Sequence, residues 1–236
     1  MKSRVAIVAA MARELQPLVR NWKLERCEAG VTVYSSERAV AAFAGMGKRP
    51  ADIAAQAAMS FGPVRQLISA GWAGALHSEL GVGTVRTLKS VIDAATGERF
   101  ASDHHDATGK PDARGSVLVT MDHVVPAAEK PRLRAKFSAD MVDMEAAAVA
   151  QVARVNGVPF FAIKAVSDAH DFDLPGMEKF ATSEGQFREA TFAVYVALRP
   201  GLWKPAIRMA RNSEAAASNL CAELERYLAE DEKQAK

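Results

Sequence analysis

Four carboxylic acids fall where the chain leaves an apolar run. Glu14 ends Ala10-Met11-Ala12-Arg13-Glu14, directly after the run from Val5 to Ala10. Asp143 and Glu145 stand in Val142-Asp143-Met144-Glu145, ahead of an alanine-rich stretch. Asp168 closes Ile163-Lys164-Ala165-Val166-Ser167-Asp168. Acids in such places often serve structure alone. At a helix start the macrodipole favours them by ~0.3–1 kcal/mol, and after a strand an aspartate commonly caps a turn. They also do acid–base chemistry when their surroundings move the pKa. In that use Glu14 activates a water. Glu145 stays ionised and accepts hydrogen bonds from neutral hydroxyls, for which a ribose diol is a suitable partner, and Met144 offers a sugar face an adaptable apolar surface. Asp168, raised by partial burial, protonates a departing base.

Other polar features are weaker. Gly45-Met46-Gly47-Lys48 and Gly71-Trp72-Ala73-Gly74 place glycines at strand ends, where they serve backbone geometry or let a ligand approach the main chain. Neither matches a phosphate-binding loop or a dinucleotide fingerprint, so no cofactor is expected. His104-His105-Asp106 has the residue types of a metal site, but adjacent residues rarely face one ion. No metal is expected there, and His77, His123 and His170 lack ligand spacing. No nucleophilic serine or cysteine arrangement stands out.

The elements around these residues follow from periodicity. Val5 to Ala10, Ala39 to Ala44, Gln66 to Ala70 and Phe160 to Val166 are apolar runs of strand length, the pattern of strands buried on both faces. Val33 to Arg38 reads as an edge strand, Thr84 to Ile92 with Gly97 to Ala101 as a hairpin or irregular extension, and Val117 to Thr120 and Met141 to Val142 as short strands. Helices are expected over Ala12 to Val19, Pro50 to Phe61, Pro126 to Phe137 (with Pro131 able to interrupt it), Met144 to Asn156, Met177 to Leu198 and Lys204 to Ala229. Met144, Ala148, Val152 and Val155 form the stripe of the fourth helix, and Gly157 caps it. Ser102 to Arg114 reads as loop. Alternating strands and helices imply an α/β three-layer sandwich around a mixed, mostly parallel sheet. Ligands of such sheets bind beyond the carboxyl ends of the strands, and the acids and glycine segments all fall at that edge.

Composition narrows the setting. At 236 residues and net charge +2, no strong field attracts nucleic acid. Cys27 and Cys221 form no disulfide framework, which suits a reducing compartment. The apolar run from Val5 to Met11 is too short for a signal peptide or a membrane span. A soluble, cytoplasmic protein is expected.

Taken in order, the segments resemble the nucleoside phosphorylase superfamily, on its methylthioadenosine/S-adenosylhomocysteine nucleosidase side, over roughly residues 4–190. Val8 to Glu14 resembles the family's GAMxxE, and Ala44 to Lys48 its SGIGK. Ser69 to Gly74 resembles NTGSAG, Val142 to Glu145 resembles VEME, and Ala165 to Asp168 resembles AISD. The resemblance implies purine nucleoside N-glycosidic cleavage. Glu14 and Asp168 are then catalytic, with Ser167 orienting Asp168, which protonates N7. Substrate contacts fall to Met144, Glu145, Asp143, Gly47, Gly71, Trp72, Lys164 and Val124, the last near where an aromatic would stack. Two residues depart from the pattern: Trp72 replaces a small hydroxyl residue, and Lys164 stands where relatives carry arginine. The segments Asp171 to Pro175, Phe180 to Thr182 and Leu198 to Trp203 resemble the hopanoid-associated branch, implicated in removing adenine from adenosylhopane. Residues 1–198 then form the phosphorylase-like domain and 199–236 a helical extension packed on it. Residues 199–211, basic with apolar partners, either pack on the core or touch a membrane surface. A homo-oligomer, most simply a dimer, is implied. Phosphorolysis and nucleoside binding without catalysis are the rival readings.

Overall fold

The computed structural model describes residues 3–28, 30–103, 115–174, 176–180 and 189–234. A run such as Val5 to Ala9, apolar at every position, needs cover on both faces. β1 (Arg4–Ala9) accordingly lies inside a ten-stranded sheet with β2 (Lys23–Glu28), β3 (Val31–Ser35), β4 (Ala39–Phe43), β5 (Val64–Ala75), β6 (Val85–Asp93), β7 (Arg99–Ala101), β8 (Ser116–Thr120), β9 (Met141–Asp143) and β10 (Phe160–Asp168). The order is β10-β6-β8-β9-β5-β1-β4-β3-β2, with β7 on β6. The sheet is mixed. β1 runs parallel to β4 and β5, β5 to β10, and β8 to β6 and β9, while the ladders at β2–β3, β3–β4, β5–β9, β6–β7 and β6–β10 are antiparallel. Because β5 pairs with both β10 and β9, the strands β5-β10-β6-β8-β9 close into a ring.

The helices are α1 (Gln16–Val19), α2 (Lys48–Ser60), α3 (Lys130–Phe137), α4 (Ala146–Val155), α5 (Glu189–Ala197) and α6 (Trp203–Gln234). α2 and α4 cover one face of the sheet, their alanines packing on Ala6, Val8, Leu67 and Ala162. α1 and α6 cover the other. Ala216, Leu220, Leu224 and Leu228 recur every four residues, and this single stripe of α6 lies on Ile68, Ala70, Phe161 and Ile163. Among the described residues no helix is long and apolar enough to cross a membrane.

Several boundaries differ from the sequence expectation. The sheet edge is β2, not Val33 to Arg38. Its residues Lys23-Leu24-Glu25-Arg26-Cys27-Glu28 are mostly charged and exposed, as suits an edge that must not pair with another chain, so hydrophobicity gave no signal. The helix expected over Ala12 to Val19 is a 3-10 turn (Ala12–Glu14) followed by α1, which restarts with Pro17 in its first turn. β5 continues through Gly71 to Gly74 rather than stopping before them. α3 begins at Lys130, so Pro131 sits in the first turn, where it is tolerated. α4 begins at Ala146, which leaves Asp143 on β9 and Glu145 at the N-cap. Its buried residues are Ala146, Ala147, Val149, Ala150, Val152 and Ala153, and Val155 is 72% exposed. Of the helix expected from Met177, Met177–Phe180 is a 3-10 turn and α5 is helical. His104, His105, Asp106 and residues 181–188 lie outside the described residues.

Candidate active site

The site begins with an interruption in the sheet. β1 pairs with β5 only as far as Ser69, and β9 takes up the same strand at Gly74. Between them Ala70 to Ala73 keep β10 on one side, where Gly71 is in register with Lys164 and Gly74 with Asp168. On the side of the notch the Trp72 N–H finds a carboxylate instead of a strand: it donates to Glu14.

Glu14 reaches the notch because the 3-10 turn after β1 folds its side chain inward, leaving the residue 3% exposed. A methyl group at Gly71 would stand 2.3 Å from Glu14 Oε2, and the φ of Gly71 is +133°. Only glycine meets both conditions. Burial pushes the Glu14 carboxyl up to about 8, and the charge of Glu145 adds to that rise. Lys164, the Trp72 N–H and Arg13 pull it back.

Glu145 is 8% exposed. Its Oε1 accepts the Gly47 N–H at 2.7 Å, and Oε2 accepts the Met144 N–H at 3.3 Å. Gly47, at φ +95°, turns the chain from β4 into α2 so that its N–H faces this carboxylate. A helix start favours an ionised acid, but burial and Asp143 push Glu145 up to about 7, against Lys164 and the two N–H groups. Two acids with nearby values around neutrality are suited to exchanging protons with a ligand.

Lys164 and Asp143 lie beneath them, with side chains 1% and 0% exposed and Nζ 2.9 Å from Oδ2. Asp143 is saturated. Oδ1 accepts from Thr120 Oγ1 at 2.7 Å, and Oδ2 also accepts the Ala146 N–H at 2.9 Å. Lys164 donates to the Ala70 carbonyl at 3.3 Å. Burial alone would lower the lysine, but Asp143, Glu145 and Glu14 together hold its ammonium above the ordinary value. Both residues were expected among the substrate contacts. The structure buries both side chains against one another, with Lys164 in the field of Glu145 and Glu14.

Trp72 also takes a different place. Successive side chains of a strand face opposite ways, so with Gly71 towards Glu14 the indole turns to the α1/α6 face. It packs there against the cluster that includes Ile163, Ala165 and Leu220, and the Arg13 guanidinium lies 5.4 Å from its ring. Its backbone N–H is the group that faces Glu14. Met144 is half-buried in the turn between β9 and α4, and Val124 half-buried in the loop between β8 and α3.

Asp168 closes β10 with its side chain 31% exposed. Ser167 Oγ donates to Oδ1 at 2.9 Å, the pairing expected of those neighbours. A methyl at Gly74 would stand 2.8 Å from Oδ2, so this acid too is seated on a glycine. Its surroundings differ from those expected of a neutral, partly buried acid, because Lys130 Nζ lies 2.5 Å from Oδ2. Two residues of β5, Trp72 and Ala73, lie between the two glycine seats, a three-step rise of ~10 Å at the usual strand geometry. The sequence reading missed Lys130 and Thr120. Lys130 did carry a signal: it precedes Pro131 at a helix start, where the macrodipole disfavours a cation. Among the described residues no group of three or more His, Cys, Asp or Glu is placed to hold a metal ion.

Comparison with known proteins agrees with this architecture. The pattern of the phosphorylase superfamily matches residues 4–114 and 101–198. The 5'-methylthioadenosine/S-adenosylhomocysteine nucleosidase of Helicobacter pylori, solved in complex with a pyrrolopyrimidine-bearing pyrrolidinol, superposes with a TM-score of 0.69 at 17% identity, covering 97% of this chain and 98% of that one. The futalosine hydrolase of the same organism gives 0.64 at 20% identity, over 95% and 98%. The 5'-methylthioadenosine nucleosidase of Arabidopsis thaliana gives 0.67 at 19%, over 96% of each chain. Identities this low speak for the fold, whereas the family pattern runs nearly unbroken from β1 to the end of α5: the chain belongs to the phosphorylase superfamily.

Proposed function

We propose that this protein hydrolyses the N-glycosidic bond of a purine nucleoside, releasing adenine from an adenosine whose 5′ substituent is apolar, with adenosylhopane as the substrate that the C-terminal resemblance suggests. The observation that carries the reading is the Glu14 carboxyl held in the notch of the sheet, buried, near neutrality and next to Glu145. The ribose hydroxyls donate to Glu145, Met144 covers the sugar, and the nucleoside lies across the notch so that its base reaches Asp168. Glu14 takes a proton from the attacking water. C1′ develops positive charge, as in other glycosidic cleavages, and the two carboxylates stabilise it. The electron pair of the broken bond stays with the base, which takes a proton from Asp168.

Water is favoured over phosphate because Lys164, the cation beneath the two glutamates, is committed to Asp143. A phosphate dianion would meet two carboxylates without the neutralisation it needs. Base release is therefore expected to proceed at the same rate in phosphate-free and phosphate buffers, yielding the free sugar. Strict phosphate dependence with formation of ribose 1-phosphate would replace hydrolysis by phosphorolysis.

An apolar 5′ substituent of lipid size has to be met at a membrane. Around the start of α6, Leu198, Trp203 and Ile207 are 73%, 50% and 55% exposed, among the exposed cations Arg199, Lys204, Arg208 and Arg211. Apolar side chains ringed by cations suit an anionic lipid surface. The protein is expected to float with anionic liposomes, and Trp203→Ala to float less. No association by the unaltered protein would remove the membrane from this account.

A further inference from the structure

The acid that must protonate the leaving base is ion-paired. Lys130 Nζ lies 2.5 Å from Asp168 Oδ2 and donates to the Ala169 carbonyl at 2.8 Å. The lysine is 1% exposed, so it reaches Asp168 and not the solvent or a ligand. A methyl at Gly74 would stand 2.8 Å from Oδ2, so the glycine leaves room for this carboxylate, while Oδ1 accepts from the Ser167 hydroxyl. Helix energetics do not explain the lysine: it opens α3, where a cation opposes the macrodipole. Nor does a salt bridge need to be buried for stability, since an apolar pair of the same volume often serves as well. A buried ammonium aimed at the general acid of the site has a chemical use.

We propose that Lys130 is a positioning residue that both holds Asp168 and supplies, through it, the proton taken up by the departing base. The inference rests on the nucleosidase reading above. As C1′ and the base nitrogen separate, the bonding electron pair stays on the base, whose basicity rises. A proton leaves Lys130 Nζ for the Asp168 carboxylate, and the carboxyl delivers a proton to the ring nitrogen. Asp168 ends as it began and Lys130 is left a neutral amine; the proton that Glu14 takes from water is released to solvent, and one from solvent restores the ammonium through Asp168, whose side chain is 31% exposed. Base, sugar and enzyme then balance as nucleoside plus water giving free base plus free sugar.

The test separates proton supply from structure. Lys130→Met removes charge and proton together. Lys130→Arg keeps a cation against Asp168, but a guanidinium does not release its proton in proteins. Each full-length variant is assayed on methylthioadenosine and on an N7-methylated purine nucleoside, whose base already carries the positive charge and leaves without a proton. On methylthioadenosine both variants are expected to lose roughly 10²–10⁴-fold in kcat, with KM changed only a few-fold. On the N7-methylated substrate both stay close to the unaltered enzyme, which also shows that they are folded. Equal losses on the two substrates would make Lys130 structural and overturn the inference, as would arginine restoring full kcat on methylthioadenosine. If the unaltered enzyme releases base from neither nucleoside, the nucleosidase reading itself falls and takes this inference with it.

Discussion

Glu14→Gln is expected to lower base release by roughly 10²–10⁴-fold, the usual contribution of a general base, and at the same time to stabilise the protein in alkaline solution. Glutamine keeps the size of the side chain and its hydrogen bond from the Trp72 N–H, so the notch stays filled. What it removes is a buried acid whose value is pushed from 4.5 up to about 8. Below 4.5 the group is protonated in both folded and unfolded chains and contributes nothing to the difference between them. Between 4.5 and about 8 the unfolded chain releases the proton while the folded one retains it, so stability falls as pH rises. Above 8 the loss is complete. Glutamine escapes it, and the variant should gain on the order of a few kcal/mol over the unaltered protein between pH 5 and pH 9. Urea unfolding at the two pH values measures this. Equal midpoints for the two proteins at pH 9, relative to pH 5, would contradict a buried carboxyl. The kinetic side has the opposite sign: kcat/KM should climb with pH across about 7 to 8, where Glu145 and Glu14 ionise. With glutamine at position 14 only the lower limb, that of Glu145, should survive.

The largest loss of stability is expected from Lys164→Met. Removing one partner of a fully buried ion pair leaves the other charge uncompensated, at a cost of about 3–5 kcal/mol. For a chain of this length that lowers Tm by roughly 10 °C. Among the described residues Asp143 has no other cation partner; its remaining hydrogen bonds come from Thr120 and the Ala146 N–H. The glutamates above it lose their neutralising charge as well, so their values move further up and any remaining activity shifts to higher pH. Lys164→Arg, which keeps the charge, should lose much less. A melting temperature for Lys164→Met within a few degrees of the unaltered protein would show that the pair is not closed to water.

How much of this could be read without coordinates differs from residue to residue, for physical reasons. The long apolar runs of β1, β4 and β10 announce themselves because strands covered on both faces must be apolar throughout. β2 does not, because an exposed edge has no reason to be. Glu14 and Glu145 are conspicuous as acids at strand ends, and the structure brings them together through the Trp72 and Gly47 N–H groups. Which way a side chain turns is another matter. Trp72 stands among the glycines of the site, yet the direction of its indole follows from the register of β5, and register comes from pairing between segments far apart in sequence. Asp143 and Lys164, twenty-one positions apart, neutralise one another only once β9 and β10 are in place. Lys130 is visible as an oddity, a cation opening a helix, but its partner is nearly forty residues away.

The two glycine seats have a further consequence. Gly71 and Gly74 belong to one uninterrupted strand, so the interval between the seats of Glu14 and Asp168 is fixed by three peptide units rather than by loops. Evolution can exchange the walls of such a cleft without altering its span. The same fold carries a methylthioadenosine/S-adenosylhomocysteine nucleosidase and a futalosine hydrolase that are 17% and 20% identical to this chain.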